Sequence, residues 1–267
     1  MKAYLFDVDG VLTNLRNPDI IEPEMFDILM FFLKQGIPMG FITGRDMAWL
    51  RSELIKGFED YTVEHKLDKK ILDLLYIAGE FGSVTTEYTL SERNETINKN
   101  FAIPQELRKE LVDHFQRFKK FLYVEEKQTI FSLRGNSDIG AEEFQKIKLE
   151  AVESFKKKLR NYPEIEVLSD RIAINIRNKK ANKTSATDNF ISWLKEKKIS
   201  PEKFFVFGDS PTDLEMGLEL QKQKLPFEFI YVGDEDEFNG MHHSFPVIIT
   251  KAHCDEGTRE YLQAHAE

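Results

Sequence analysis

Short apolar strands alternating with amphipathic helices at both ends of the chain predict an α/β protein, with a three-layer core built on a parallel sheet. The rhythm breaks in the middle third, where an alternating strand, long helices and a strand pair point to an inserted α+β unit. It resumes after residue 182. The core is therefore expected to be discontinuous, over residues 1–82 and 180–267, with an insert over 83–179.

Taken in order, residues 3–7 read as a short buried strand. Residues 23–35 read as a helix, with Pro23 in its first turn and Gly36 as its stop. Met25, Ile28, Leu29, Phe32 and Leu33 form its apolar face. Residues 37–43 give a second strand, 46–56 a helix with Met47, Leu50, Leu54 and Ile55 inward, and 74–78 a third strand. From Ser83 to Asn100 the chain is polar. A helix near 104–121, a strand at 129–134, a helix near 141–160 and strands near 164–168 and 171–176 fill the insert. Then come a helix at 184–197, a strand at 204–207, a helix at 214–222, strands at 229–232 and 247–249, and a helix at 258–265. No repeat or low-complexity segment interrupts them.

Of the 267 residues, 41% are hydrophobic and 31% charged, which suits a globular protein with a real core. A net charge of −9 argues against a nucleic-acid surface. The single cysteine, Cys254, excludes an internal disulfide and fits a reducing compartment. The N-terminus lacks the apolar core of a signal peptide. No stretch reaches the roughly 20 apolar residues of a membrane span. A cytoplasmic protein with no membrane or nucleic-acid partner is expected, and composition fixes no oligomeric state.

In an open α/β sheet, ligands sit beyond the carboxyl ends of the strands. Asp7 and Asp9 lie there, after the first strand and before Gly10-Val11-Leu12-Thr13. So do Thr43, in Phe41-Ile42-Thr43-Gly44-Arg45, and Asp209, in Gly208-Asp209-Ser210-Pro211-Thr212-Asp213. Lys183 leads into a helix. Each has a plain structural reading: an Asp-Gly turn, a helix cap at Thr43, turn and cap residues at Asp209 and Asp213, and a solvated charge run around Lys179, Lys180 and Lys183. Their convergence at strand ends favours chemistry. Carboxylates packed together repel unless a cation or proton is shared among them. A carboxylate nucleophile can accept a phosphoryl group, a hydroxyl and a lysine can hold its oxygens, and oxygen-bound Mg²⁺ can neutralise charge.

Asp7-Val8-Asp9-Gly10-Val11, Thr43-Gly44-Arg45, Lys183 and Gly208-Asp209-Ser210-Pro211-Thr212-Asp213 resemble, in order, the four motifs of the haloacid dehalogenase superfamily. The resemblance implies a Rossmann-like core. It makes Asp7 the nucleophile and Asp9 the general acid and base. Thr43, Gly44 and Lys183 would bind phosphate. Asp7, Asp9 (through its backbone carbonyl), Asp209 and Asp213 would serve Mg²⁺. An acid at Asp9 points to a phosphatase rather than a dehalogenase, since it can protonate an alkoxide and then activate water.

The Thr43–Lys183 gap holds a domain and the Asp7–Thr43 gap does not. This resembles the branch whose α+β cap lies between the second and third motifs, which includes sugar phosphatases and phosphomannomutase. Glu80-Phe81-Gly82 resembles that branch's hinge and substrate-facing turn. Asn182-Lys183-Thr184-Ser185-Ala186 resembles its third motif, with Thr184 in place of the usual glycine and with Lys179 and Lys180 as alternative lysines. Glu125-Glu126-Lys127 and the following strand resemble the cap of trehalose-6-phosphate phosphatases, although Leu214 departs from their fourth motif. Arg45, Glu80, Lys127 and Arg134 are candidates for substrate specificity; for Lys127 and Arg134 the plain alternative is solvated strand charge.

The expected function is Mg²⁺-dependent hydrolysis of a small phosphorylated metabolite, a sugar or related phosphate, through an aspartyl-phosphate. The alternatives are a phosphomannomutase-like phosphotransferase and a non-catalytic phosphate-binding regulator. The six histidines show no metal-ligand spacing. His242-His243 and the acidic run at 234–237 read as loops, and Cys254 as structural.

Overall fold

The computed structural model describes residues 1–14, 16–136, 138–169, 173–239 and 243–266. The first strand, β1 (Lys2–Phe6), shows why the sheet has two covered faces. Tyr4 and Phe6 point to one side and Ala3 and Leu5 to the other, and all four are fully buried. The same alternation recurs in β2 (Met39–Ile42), β3 (Leu75–Gly79), β10 (Lys203–Gly208) and β11 (Phe227–Tyr231).

One face packs against α1 (Pro23–Lys34), α3 (Lys56–Glu64) and α9 (Cys254–Ala264). The other packs against α6 (Lys183–Glu196) and α7 (Leu214–Lys222). Phe6 stacks on Phe207 at 4.8 Å and on Phe41 at 5.4 Å, tying three neighbouring strands together. Each such ring contributes about 1.5–3 kcal/mol through burial.

The sheet also contains β4 (Val84–Thr89), β5 (Glu92–Ile97) and β12 (Val247–Ile249). Its order is β12-β11-β10-β1-β2-β3-β4-β5. Strands β12 to β3 are mutually parallel and β4 is antiparallel to β3. Strand order runs outward in both directions from β1, so the carboxyl end of β1 is the switch point where an α/β sheet opens a crevice.

The chain divides into two units, Met1–Thr96 with Asn182–Glu267, and Ile97–Ala181. The second has its own antiparallel sheet, built from β6 (Leu122–Val124), β7 (Phe131–Gly135), β8 (Ile165–Ser169) and β9 (Ala173–Asn178) in the order β6-β7-β9-β8. Phe131, Leu133, Ile174 and Ile176 on one face join Leu107, Leu111 and Phe115 of α4 (Gln105–Phe115) and Phe144 and Phe155 of α5 (Ala141–Lys158). The alternate positions carry Ser132, Arg134, Asn175 and Arg177. An α/β core on a mainly parallel sheet, with a separate α+β unit, is the fold class the sequence predicts.

Several elements differ from their sequence expectation. Residues 84–97 extend the first sheet rather than begin the insert, so the turn at 80–82 is followed by two more strands of the same sheet. The helix expected at 46–56 runs on to residue 64 as α2 (Met47–Leu50), a π turn (Arg51–Ile55) and α3. The helix expected to reach 121 ends at Phe115 and gives way to turns and β6. The acidic run forms the short helix α8 (Glu235–Phe238), capped by the Asp234 carboxylate on the Asp236 N–H at 2.8 Å. Arg171, Ile172 and His242, read as strand and loop, lie outside the described residues.

Candidate active site

Asp7 leaves β1 with its N–H on the carbonyl of Phe207 in β10 at 3.0 Å, which sets its side chain at the crevice. Three residues on, Gly10 takes φ +69°, and a Cβ there would fall 2.1 Å from Asp209 Oδ2. Only glycine lets the Asp9 turn approach the fourth motif this closely.

The fourth motif is held by its own carboxylate. Asp213 Oδ2 accepts the N–H groups of Asp209 (2.9 Å) and Ser210 (2.8 Å) and the Ser210 hydroxyl (2.8 Å). This is a capping box of the Ser-x-x-Asp kind. Gly208 is needed here as well, since a Cβ would lie 2.2 Å from that of Asp213.

Lys183 is the first residue of α6, whose cap is Asn182, with Oδ1 accepting from Ser185 N at 2.7 Å. Its ammonium lies 2.9 Å from Asp7 Oδ1 and pairs with Asp213 Oδ1 as well. Lys183, Asp7 and Asp213 are all nearly inaccessible, whereas Lys179 and Lys180 are exposed. Burial works against the charge on Lys183, but Asp213 and Asp7 outweigh it and raise its pKa.

One oxygen from each of Asp7, Asp209 and Asp213 can be chosen so that all lie within 4.8 Å of one another. Burial, then Asp213, push the Asp7 carboxyl up, against the pull of Lys183. Asp209 is raised by burial, then by Asp213 and Asp7. Hard oxygen donors crowded to the point of resisting ionisation are what a dication relieves, so the donor set fits Mg²⁺.

Asp9 turns away from this trio. Its Oδ1 is held by Arg45 Nε at 2.7 Å and its Oδ2 accepts from Thr43 Oγ1 at 3.4 Å. Thr43 is fully buried and also accepts the Arg45 N–H at 3.1 Å. Phe81, whose N–H donates to the Thr43 carbonyl at 2.8 Å, places its ring where any side chain at Gly44 would go. Glu80 and Phe81 have φ +46° and +58°, a left-handed pair of non-glycine residues beside the second motif. Glu80 is buried.

In the second unit, Lys127 and Arg134 both pair with Glu125, at 3.1 and 2.6 Å. Ser132 donates to Asn175 Oδ1 at 2.8 Å, and Arg177 pairs with Glu166 at 3.0 Å. The structure thus gathers Asp7, Asp9, Thr43, Lys183, Asp209 and Asp213 in the first unit, while Lys127 and Arg134 form a polar cluster of their own in the second. Sequence reasoning quoted Ser210 within the fourth motif but gave it no role, although the Ser-x-x-Asp spacing signals one. It missed Asp19, whose carboxylate pairs with Arg45 at 2.5 Å and which no motif marks.

Comparison with solved structures gives fold likenesses at low identity. The C-terminal domain of C. albicans trehalose-6-phosphate phosphatase matches with TM-score 0.72 and 16% identity, covering 99% of this chain and 91% of that one. A haloacid dehalogenase-like hydrolase from Bacteroides thetaiotaomicron gives TM-score 0.63, 15% identity and 99% coverage of both. An N-terminally truncated Plasmodium falciparum IMP-nucleotidase gives 0.58 and 15%, covering 89% of this chain and 68% of that one. No curated protein matches the sequence. The family model for haloacid dehalogenase-like hydrolases matches residues 59–220, a stretch that holds Lys183, Asp209 and Asp213. More than half of the sequence carries that match, and the chain belongs to the haloacid dehalogenase-like hydrolase family.

Proposed function

We propose that this hydrolase is a Mg²⁺-dependent phosphatase acting on a small phosphorylated metabolite, a sugar phosphate or related ester. The observation that supports it most is the buried Asp7 carboxylate, bridged to Asp213 by Lys183, at the switch point of the sheet with Asp9 two residues on.

In this reading an Asp7 oxygen forms a bond to phosphorus as the bond to the leaving oxygen breaks. The departing electron pair takes the proton carried by Asp9. The Asp9 carboxylate then takes a proton from water, whose oxygen attacks the aspartyl-phosphate and restores Asp7. Thr43, Gly44 and Lys183 grip the non-bridging oxygens. Asp7, Asp209, Asp213 and the backbone carbonyl of Asp9 would hold Mg²⁺, which when bound neutralises charge on the phosphoryl oxygens. The second unit serves as a cap, and specificity rests on Lys127, Arg134 and the Glu80 turn.

The test is a screen of phosphorylated metabolites, sugar phosphates and nucleotides together, because the fold neighbours include a trehalose-6-phosphate phosphatase and an IMP-nucleotidase. Phosphate release is expected with Mg²⁺ and not with EDTA. Asp7→Asn should lower turnover more than about 10⁴-fold with an unchanged circular-dichroism spectrum. No metal-dependent release on any substrate would move the reading to a regulator. Label appearing in a second sugar would move it to a phosphotransferase.

A further inference from the structure

Arg45 makes more contacts than a residue waiting for substrate would need. Its side chain is 5% exposed. Nε and Nη2 both reach Asp9 Oδ1, at 2.7 and 2.6 Å. Nη1 pairs with Asp19 Oδ1 at 2.5 Å, and Nη2 donates to the Pro18 carbonyl at 2.6 Å. The guanidinium plane lies over the Trp49 ring, 4.4 Å from its centroid. Trp49 is fixed in turn: its N–H is capped by Asp46 Oδ1 at 2.8 Å, and its indole Nε1 donates to the Asp19 carbonyl at 3.1 Å.

All three guanidinium nitrogens therefore face protein oxygens. The Asp9 side chain is 40% exposed, against 8% for Asp7. Its rotamer would be loose without an outside anchor, and a planar fork fixes direction as well as distance.

We infer that Arg45 is a positioning residue for Asp9, and that Asp19 and Trp49 hold the guanidinium in place from the opposite side. The inference rests on the acid–base role given to Asp9 above. Misplacement of a proton donor by about 1 Å can cost on the order of 10²-fold in rate. In kcat/KM, which extends only to departure of the leaving group and not to the water attack shared by all substrates, that cost falls on leaving groups that need the proton. A good leaving group, able to depart as an anion, is spared.

The experiment measures kcat/KM for aryl phosphates with leaving groups graded from p-nitrophenol to phenol, with Mg²⁺ present. Wild type should show a shallow dependence on leaving-group pKa. Arg45→Gln and Asp19→Ala should steepen it, losing about 10²-fold on phenyl phosphate and no more than a few-fold on p-nitrophenyl phosphate. In an Asp9→Asn background, Arg45→Gln should add almost nothing. Asp19 is largely exposed, so its alanine variant keeps the test open even where removal of the buried arginine prevents folding. Slopes parallel to wild type in both variants, beside a steep slope for Asp9→Asn, would overturn this inference alone. A wild-type slope in Asp9→Asn itself would remove the acid–base reading, and this inference with it.

Discussion

Asp209 shows how one carboxylate can report on the whole site. Lys183 is committed to Asp7 and Asp213, which leaves Asp209 raised by burial and by its acidic neighbours. A bound dication removes that penalty in the folded state alone, so Mg²⁺ should stabilise the native protein by mass action. At a concentration about 100 times the dissociation constant the gain is about 2.7 kcal/mol. The expected outcome is a wild-type Tm that rises with Mg²⁺ and returns with EDTA. Asp209→Asn should lose most of this response while melting no lower without metal. An equal Mg²⁺ response in the variant would remove Asp209 from the ligand set.

At the scale of elements, the aromatic stack across β1, β2 and β10 is what holds the motif-bearing strand ends in register. Phe6 is fully buried between Phe41 and Phe207, so Phe6→Ala opens a cavity under Asp7. A loss of about 3–5 kcal/mol is expected, read as a lower urea midpoint at unchanged slope. The polar face of the second sheet gives a pH-dependent counterpart. Burial alone would raise the Glu125 carboxyl, but Lys127, Ser132 and Arg134 outweigh it and hold it below its ordinary value. A carboxyl depressed by folding stabilises fully above its unfolded value, about 4.3, and that contribution is lost as pH falls through the lower folded value. Glu125→Gln should therefore weaken the protein near neutrality and flatten the acid limb of a urea-midpoint profile below about pH 4.3. An acid limb as steep as wild type would mean that other carboxylates carry it.

The same elements show what the sequence made legible. Strands such as β1 and β10 are apolar on both faces, so they stand out as runs, and the helices beside them carry a clear stripe. The β4–β5 pair does not. All six residues of β5 are exposed, and its connecting turn uses Leu90 and Ser91 at positive φ instead of the expected Asn or Gly. The π turn at Arg51–Ile55 leaves no mark in composition, because it keeps Leu54 and Ile55 facing inward as a plain helix would. At the site, ordered motifs pointed to Asp7, Asp9, Lys183, Asp209 and Asp213. The partners that hold them came only with the fold: Asp19 meets Arg45 through tertiary contact, and the Glu80–Gly82 turn meets Thr43 across two strands.

For the whole molecule, the residues proposed to act on phosphate and the Glu125–Lys127–Arg134 cluster fall in different units with separate cores. Every residue proposed to act on phosphorus belongs to the first. In the second, Arg134 stands on the polar face of a sheet whose other face is apolar, and Lys127 lies in the β6–β7 connection, with Glu125 shared between them. Such a face is costly unless its groups are mutually satisfied, and its charges are arranged to hydrogen-bond in several directions. If it reads the leaving group, Lys127→Ala and Arg134→Ala should shift preference among the metabolite phosphates about ten-fold or more while changing p-nitrophenyl phosphate turnover only a few-fold, since each lost charged hydrogen bond is worth about 1.5–3 kcal/mol. Thermal melts separate this from simple loss of the Glu125 pairs: a common destabilisation lowers activity on every substrate alike. Equal losses across the panel in variants that melt like wild type would end the division of labour, because a residue felt equally by all leaving groups is not selecting among them.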